Sequence, residues 1–385
     1  MKKLLVITML VFVFCDSMMS QKLILWDMNS LEKIKYKIEY KNVKKKIIKS
    51  ADIYLKHKSV SVTDREKSFA PDIHHYESIG RYHWPDPDNP NGPWIRKDGV
   101  VNPDCNKYDK ALMIKMRQRV EYLALAYYMT LDDKYYDAAT EQIRVWFVNN
   151  ETRMYPMMEY GQIVPGRNGN KGHDSGLIEM YTVIHPVLES VRLLNNIKKI
   201  DNYTYEGLQK WCKTFVVWCD TSSLGRKEKA AQNNHGIALD VTMLNMALFA
   251  NYKECVDKIC KDFLDERLKK QISSDGSMPK EAVRATSYNY HIYNLTHIID
   301  YCIIMESLNK HFYRKNRKII DRAIDYLLRY VGKQEYWPYK EISNWSKHEN
   351  ELLFQICRLN RLEGASKYKK YQEKSFENLE RIINS

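Results

Sequence analysis

Two short polar clusters interrupt an otherwise apolar, helix-patterned chain, and both hold residue types suited to proton transfer. The first is Gln232-Asn233-Asn234-His235-Gly236. The second runs from Glu281 through Arg284 and Ser287 to Tyr290 and Asn294. Together they supply amides, an imidazole, a guanidinium and a phenol. A guanidinium grips a carboxylate with two parallel hydrogen bonds, and amides can assist it. An imidazole can take a proton from the carbon beside that carboxylate, and a phenol can protonate a leaving oxygen. That combination is the chemistry of β-elimination on an acidic sugar polymer.

These residues need elements that aim them. Ile237, Val241, Leu244 and Leu248 mark one helical face, which places Asn234 and His235 in the first helical turn or just before it. Free N–H groups and the dipole favour an anion there and disfavour an imidazolium, leaving a neutral His235 as a base. The plainer alternative is that Asn234 only caps the helix and His235 is a core histidine. Arg284 and Tyr290 are six residues apart and diverge on one straight helix. A helix capped by Ser287 puts Arg284 on the preceding loop and Tyr290 in the first turn, so that both can face one pocket. A phenol has a pKa of about 10 and needs a nearby cation to act as a base; Arg284 can be that cation. The plainer alternative here is a surface arginine and a packed tyrosine.

Helical spacing of apolar residues continues from about position 108 almost to the end. It predicts helices over 109–130, 133–149, 175–195, 204–221, 228–250, 252–273, 287–309, 314–332, 344–361 and 365–383. No long alternating strand appears. Helical hairpins follow one another with short connections, so the expected fold is all-α: an (α/α) toroid, an incomplete barrel of about six to seven hairpins. Its site would lie where loops gather at one end. Two irregular segments stand out. Residues 80–107 contain Tyr82-His83-Trp84-Pro85-Asp86-Pro87-Asp88-Asn89-Pro90-Asn91-Gly92-Pro93-Trp94, whose prolines forbid regular helix. The second is Pro165-Gly166-Arg167-Asn168-Gly169-Asn170.

Residues 1–20 read as a secretory signal. Lys2 and Lys3 precede an apolar stretch from Leu4 to Cys15, too short to span a membrane, and cleavage is expected between Ser20 and Gln21. Residues 21–385 then form one catalytic domain, with a helical N-terminal segment and the long 80–107 loop, in a secreted or periplasmic protein. The chain of 385 residues carries a formal charge of +13, which favours polyanionic partners. No nucleic-acid-binding signature and no integral membrane segment accompany that charge, leaving an acidic polysaccharide as the expected partner. The 28 Tyr and 8 Trp suit sugar faces, although most must serve the core. Of the 8 Cys, none forms a Cys-x-x-Cys pair, and buried free thiols are expected. No metal or cofactor motif is present.

Several ordered blocks resemble the alginate lyase domain family, which includes polysaccharide lyase family 5 and its relatives, families 38 and 39, with family 38 favoured. They are Tyr82 to Pro87, Ile95 to Pro103, Trp146-Phe147 through Met154, Tyr160-Gly161-Gln162 with Pro165-Gly166-Arg167, Asn233 to Gly236, Asp275-Gly276-Ser277 and Glu281 to Leu295. The resemblance implies an α/α toroid acting on a polyuronate without a cofactor or metal. It implies that Asn234, His235 and Arg284 neutralise the uronate carboxylate and that Tyr290 is the acid/base. It also implies substrate contacts at Tyr160, Gln162, Arg167, Asn233, Asn289 and Trp84. Asn289 departs from the pattern, because many members have His there. Two other readings remain. One is an α/α-toroid glycoside hydrolase using carboxylates such as Glu281, Asp174 or Glu159; the other is a non-catalytic periplasmic glycan-binding protein.

Overall fold

A computed structural model describes residues 22–65 and 68–371. The expected signal at 1–20 lies outside the described residues, as does most of the helix expected over 365–383. The chain opens with α1 (Met28–Tyr36) and α2 (Lys41–Leu55). An irregular stretch follows, carrying β1 (Glu77–Ile79), β2 (His83–Trp84) and β3 (Ile95–Arg96). Then come α3 (Asp109–Thr130), α4 (Asp133–Phe147) and β4 (Tyr160–Ile163). The helical series resumes with α5 (Ile178–Ile197), α6 (Asn202–Thr221), α7 (Ser223–Ala230), α8 (Asn234–Phe249) and α9 (Lys253–Phe263). It closes with α10 (Pro279–Ala282), α11 (Ser287–Ser307), α12 (Phe312–Leu328) and α13 (Trp345–Arg358).

The fold is an α/α toroid. Its inner wall runs α3, α5, α8, α11, α13, each helix packed on the next. The outer layer places α2 and α4 against α3, α6 and α9 against α8, and α12 against α11. The two layers differ as their surroundings require. From Gly236 to Phe249 every residue of the inner helix α8 is buried. The outer helix α12 buries Ile320, Ala323, Ile324 and Leu327 and turns its lysines and arginines outward.

The ring is closed by a clamp between distant parts of the chain. The N–H groups of Ile24 and Trp26 donate to Glu189 on α5 at 2.9 and 3.0 Å. Arg361, just past α13, donates to the carbonyls of Leu25 at 2.6 Å, Ile24 at 2.7 Å and Trp26 at 3.2 Å. Side chains thus satisfy the backbone groups of a buried, irregular segment that belongs to no sheet.

Three local differences from the sequence reading have physical causes. The helix expected over 228–250 is two helices, because the Asn233 side chain accepts from the His235 N–H and starts a new one. Ser287 does not cap α11; its hydroxyl donates to the Lys340 carbonyl and accepts from Trp337. The 80–107 loop contains the antiparallel pair β2–β3, and β1 pairs in parallel with β4. These strands have two to four residues each, too few for an alternating pattern to show. All seven cysteines among the described residues are free thiols.

Candidate active site

The first turn of α11 meets the 80–107 loop, and Glu281 on α10 reaches the first turn of α8. Arg284, on the turn before α11, lies over the Tyr290 ring at 3.7 Å from its centroid and donates to the Tyr290 hydroxyl at 2.8 Å. The Tyr82 hydroxyl, from the loop, is 3.2 Å from that of Tyr290. Asp98, on the same loop, fixes the guanidinium by accepting from Arg284 Nη2 at 2.8 Å and Nε at 3.3 Å. It also accepts from the Ala285 N–H at 3.2 Å. The loop therefore supplies a hydroxyl and a carboxylate to a cluster rooted on α11.

Burial alone would raise the Asp98 pKa, but hydrogen bonds from Arg284, the Ala285 N–H and Arg96 outweigh it and hold the carboxyl well below its usual range. At Tyr290 the balance falls the other way. Burial and the neighbouring Tyr82 push its pKa up, and the opposing charge of Arg284 does not cancel them. The sequence reading placed the cation correctly, but desolvation wins. At neutral pH Tyr290 is therefore a phenol, equipped to donate a proton.

His235 lies in the first turn of α8 with its side chain 18% exposed. Its Nδ1 is 2.7 Å from Glu228, a buried carboxylate on α7. A carboxylate accepts, so Nδ1 carries the proton, and in the neutral imidazole the lone pair is on Nε2. Gly236 is demanded by packing at this turn, since a Cβ there would lie 2.1 Å from the Ala231 carbonyl oxygen and 2.9 Å from Arg267. Asn234 is completely buried. Its N–H and Nδ2 donate to the two oxygens of Glu281 at 2.7 and 2.8 Å.

The alginate lyase family profile matches residues 59–337. The chain belongs to the alginate lyase family. It is a polysaccharide lyase. The chain resembles an alginate lyase from Bacteroides ovatus, with 33% identity, a TM-score of 0.83 and coverage of 93% of this chain and 94% of that one. A variant of alginate lyase A1-III complexed with a tetrasaccharide shares the fold at 13% identity and a TM-score of 0.52, over 83% of this chain and 88% of that one. A second such A1-III complex does so at 14% identity and a TM-score of 0.51, over 81% and 86%. No curated protein sequence matches.

Other residues expected in the site of this polysaccharide lyase are placed unevenly. Asn233 is spent as the cap of α8. Gln162 accepts from the Ser175 hydroxyl at 2.9 Å, beside the paired His173 and Asp174. Tyr160 is buried with Ala70 and Ile163, its ring edge-on to His75, in a small core of its own. Arg167 is exposed and close enough to His83 to help lower that imidazole's pKa, after burial. Trp84 donates to the Val100 carbonyl at 3.0 Å within the loop. Asn289 is half-buried and lines a cavity inside the ring. Of the carboxylates weighed for hydrolysis, Glu281 is committed to Asn234 and Asp174 to His173.

Tyr82, Asp98 and Glu228 were not singled out from sequence. Tyr82 had a signal, since it heads the proline-rich aromatic run. Asp98 lay in the Ile95 to Pro103 block, but nothing there pointed to Arg284, and Glu228 had no signal, because each works across a tertiary contact. Among the described residues no helix is long and apolar enough to cross a membrane. One cluster, Glu306, His311 and Glu363, has geometry compatible with a metal ion, and it lies at the other end of α11.

Proposed function

We propose that the chain cleaves alginate by β-elimination with Arg284, Tyr290 and His235 as its working groups. Family membership and the 33% identity to the Bacteroides ovatus alginate lyase support alginate as the polymer. The observation that carries the mechanism is the contact of the Tyr290 hydroxyl with Arg284, because it joins a cation for the carboxylate to a proton donor for the leaving oxygen.

Arg284 neutralises the C6 carboxylate, and its charge counts most as the C5 proton leaves and negative charge builds toward an enolate. Asp98 holds the guanidinium still, so little reorganisation is needed. His235 takes the C5 proton on Nε2, and Glu228 stabilises the resulting imidazolium across Nδ1. Tyr290 gives its proton to the C4 oxygen, with Tyr82 fixing the direction of the hydroxyl. The completely buried Asn234 acts through Glu281 to set the first turn of α8, rather than by gripping the carboxylate itself. This two-group scheme suits guluronate, whose C5 proton and C4 oxygen lie on opposite faces. In mannuronate they lie on the same face, where Tyr290 must serve with less help from His235.

The reading includes export through the N-terminal signal to the periplasm or beyond, a single catalytic domain after it, and a reaction that needs no cofactor. The test is ultraviolet absorbance on mixing the protein with polymannuronate, polyguluronate, glucuronan and a glycosaminoglycan. Elimination leaves a conjugated, absorbing end, and the alginate blocks are expected to give the fastest rise. Reducing ends without absorbance would identify a hydrolase, and neither signal would identify a binder.

A further inference from the structure

The contact between Arg284 and Tyr290 depends on the residues that separate them, 285–289, and α11 does not complete its own first turn there. The helix starts at Ser287, and the Tyr290 N–H makes its first internal bond, to the Thr286 carbonyl at 3.0 Å. The N–H groups before it need partners from outside. Thr286, at the cap position, gives no side-chain hydrogen bond, and the Ser287 hydroxyl is turned away to the Lys340 carbonyl at 2.7 Å.

The turn is completed instead by the segment that leads into α13, and the two are tied residue by residue. The Ile342 N–H donates to the Ala285 carbonyl and the Ser287 N–H to the Lys340 carbonyl, both at 3.1 Å, on either side of an antiparallel bridge between Thr286 and Glu341. The buried Tyr288 ring stacks on Trp345 with 3.8 Å between centroids. The Asn289 N–H, the last before Tyr290, donates to Glu341 Oε2 at 3.1 Å. Glu341 thus does from another part of the chain what a capping side chain does from within a helix, and its charge suits the positive end of the dipole.

Glu341 is itself held in place. Its Oε1 accepts from the Ser343 N–H at 2.9 Å and from the Ser343 hydroxyl. That hydroxyl proton is spent on the carboxylate, so the buried His348 of α13, 2.7 Å away, donates from Nε2 to the Ser343 oxygen. A line of hydrogen bonds therefore joins His348 through Ser343 and Glu341 to the residue beside Tyr290. Asp98 grips the other end of the same stretch, at Arg284 and the Ala285 N–H.

We propose that Glu341 is a positioning residue for the elimination, acting through the Asn289 N–H to set the first turn of α11 so that the Tyr290 hydroxyl meets Arg284. The inference rests on the β-elimination reading of that contact. Asp98 keeps hold of Arg284 whether or not Glu341 is present. Loss of Glu341 then shifts Tyr290 against the guanidinium and leaves the partner of the substrate carboxylate where it was. The cost falls on the chemical step rather than on binding, and a misplacement of about 1 Å can cost about a hundredfold in rate.

The test uses full-length protein, with rates on alginate taken per folded molecule well below the melting temperature. Glu341→Ala is expected to lose about ten- to a hundredfold in kcat, with KM within about twofold of wild type. Glu341→Gln, which keeps an acceptor for Asn289, recovers most of that loss. In Tyr290→Phe enzyme the same Ala change costs less than about twofold, because the proton donor that Glu341 serves is already gone. A merely structural role would lower the melting temperature without this pattern. Should Glu341→Ala not fold, Glu341→Asp takes its place with the same expectation, its carboxylate one methylene short of Asn289. Unchanged kcat in folded variants, a loss confined to KM, or an equal factor in both backgrounds overturns the positioning role and leaves the lyase reading intact. Absence of any unsaturated product from wild type overturns the lyase reading and this inference with it.

Discussion

Replacing Tyr290 by Phe removes one oxygen and leaves the ring beneath Arg284. Two contacts go with it, from Arg284 at 2.8 Å and to Tyr82 at 3.2 Å. Each hydrogen bond contributes about 1 kcal/mol net, so a drop of roughly 2 kcal/mol in stability is the upper expectation. The catalytic loss is larger. General acid catalysis contributes about a hundred- to ten-thousand-fold, equal to about 3–5 kcal/mol in the transition state. Tyr82→Phe provides the comparison, because it removes one of the same contacts but leaves the Tyr290 proton in place. Rates of unsaturated product formation and thermal melts are measured on both variants. Tyr290→Phe is expected to lose at least a hundredfold in kcat with a modest fall in melting temperature, and Tyr82→Phe to lose far less activity. A Tyr290→Phe enzyme within about tenfold of wild-type kcat would refute the acid role. Equal losses in the two variants would show that geometry, not the proton, is what Tyr290 provides.

Glu228→Gln keeps an acceptor for His235 Nδ1 but removes the charge that stabilises the imidazolium. Turnover is expected to fall about ten- to a hundredfold with KM little changed; a change confined to KM would contradict the base role of His235. His235→Ala is expected to lose more activity on guluronate than on mannuronate blocks, and equal proportional losses would favour simple carboxylate binding. The Asp98 carboxyl is held below its unfolded value of about 3.9, so its contribution to stability is full above that pH and is lost as pH falls through the folded value. Urea melts of Asp98→Asn across pH 2 to 6 should therefore lack that part of the acid destabilisation, and an unchanged difference from wild type at every pH would refute it. Chelators are expected to leave activity intact. Glu306 is sixteen residues beyond Tyr290 on α11, about 24 Å along the helix, too far for an ion there to reach the reaction. Loss of activity with chelator, restored by added metal, would overturn this.

Helix positions were legible because inner-wall helices carry long apolar runs; α3 has the bounds that its spacing predicts. The polar residues proposed for the site stood out for a different reason. A polar group at the start of an apolar helix violates the local pattern, and His235, Arg284 and Tyr290 all do so. Their partners were not legible. Asp98 looks like any loop aspartate until residues 98 and 284 meet in space. Glu228 sits in a short charged stretch whose helix ends before the one carrying His235. That burial holds Tyr290 as a phenol was not legible, because sequence shows which charges are near but not how much water is lost. Asn234 is the subtler case, since its type suggests substrate contact while its N–H and Nδ2 both donate to Glu281.

Arrays of helical hairpins that touch only their neighbours behave as one-dimensional chains, able to fray from either end. The clamp of Glu189 and Arg361 on residues 24–26 removes that freedom here. It ties segments more than 330 residues apart in sequence, so no free end is left from which the described ring can unzip. Unfolding should then be all-or-none, with hydrogen exchange on the inner helices limited by one common opening. Cutting the clamp by Arg361→Ala would be expected to split that single transition into steps, beginning with α13.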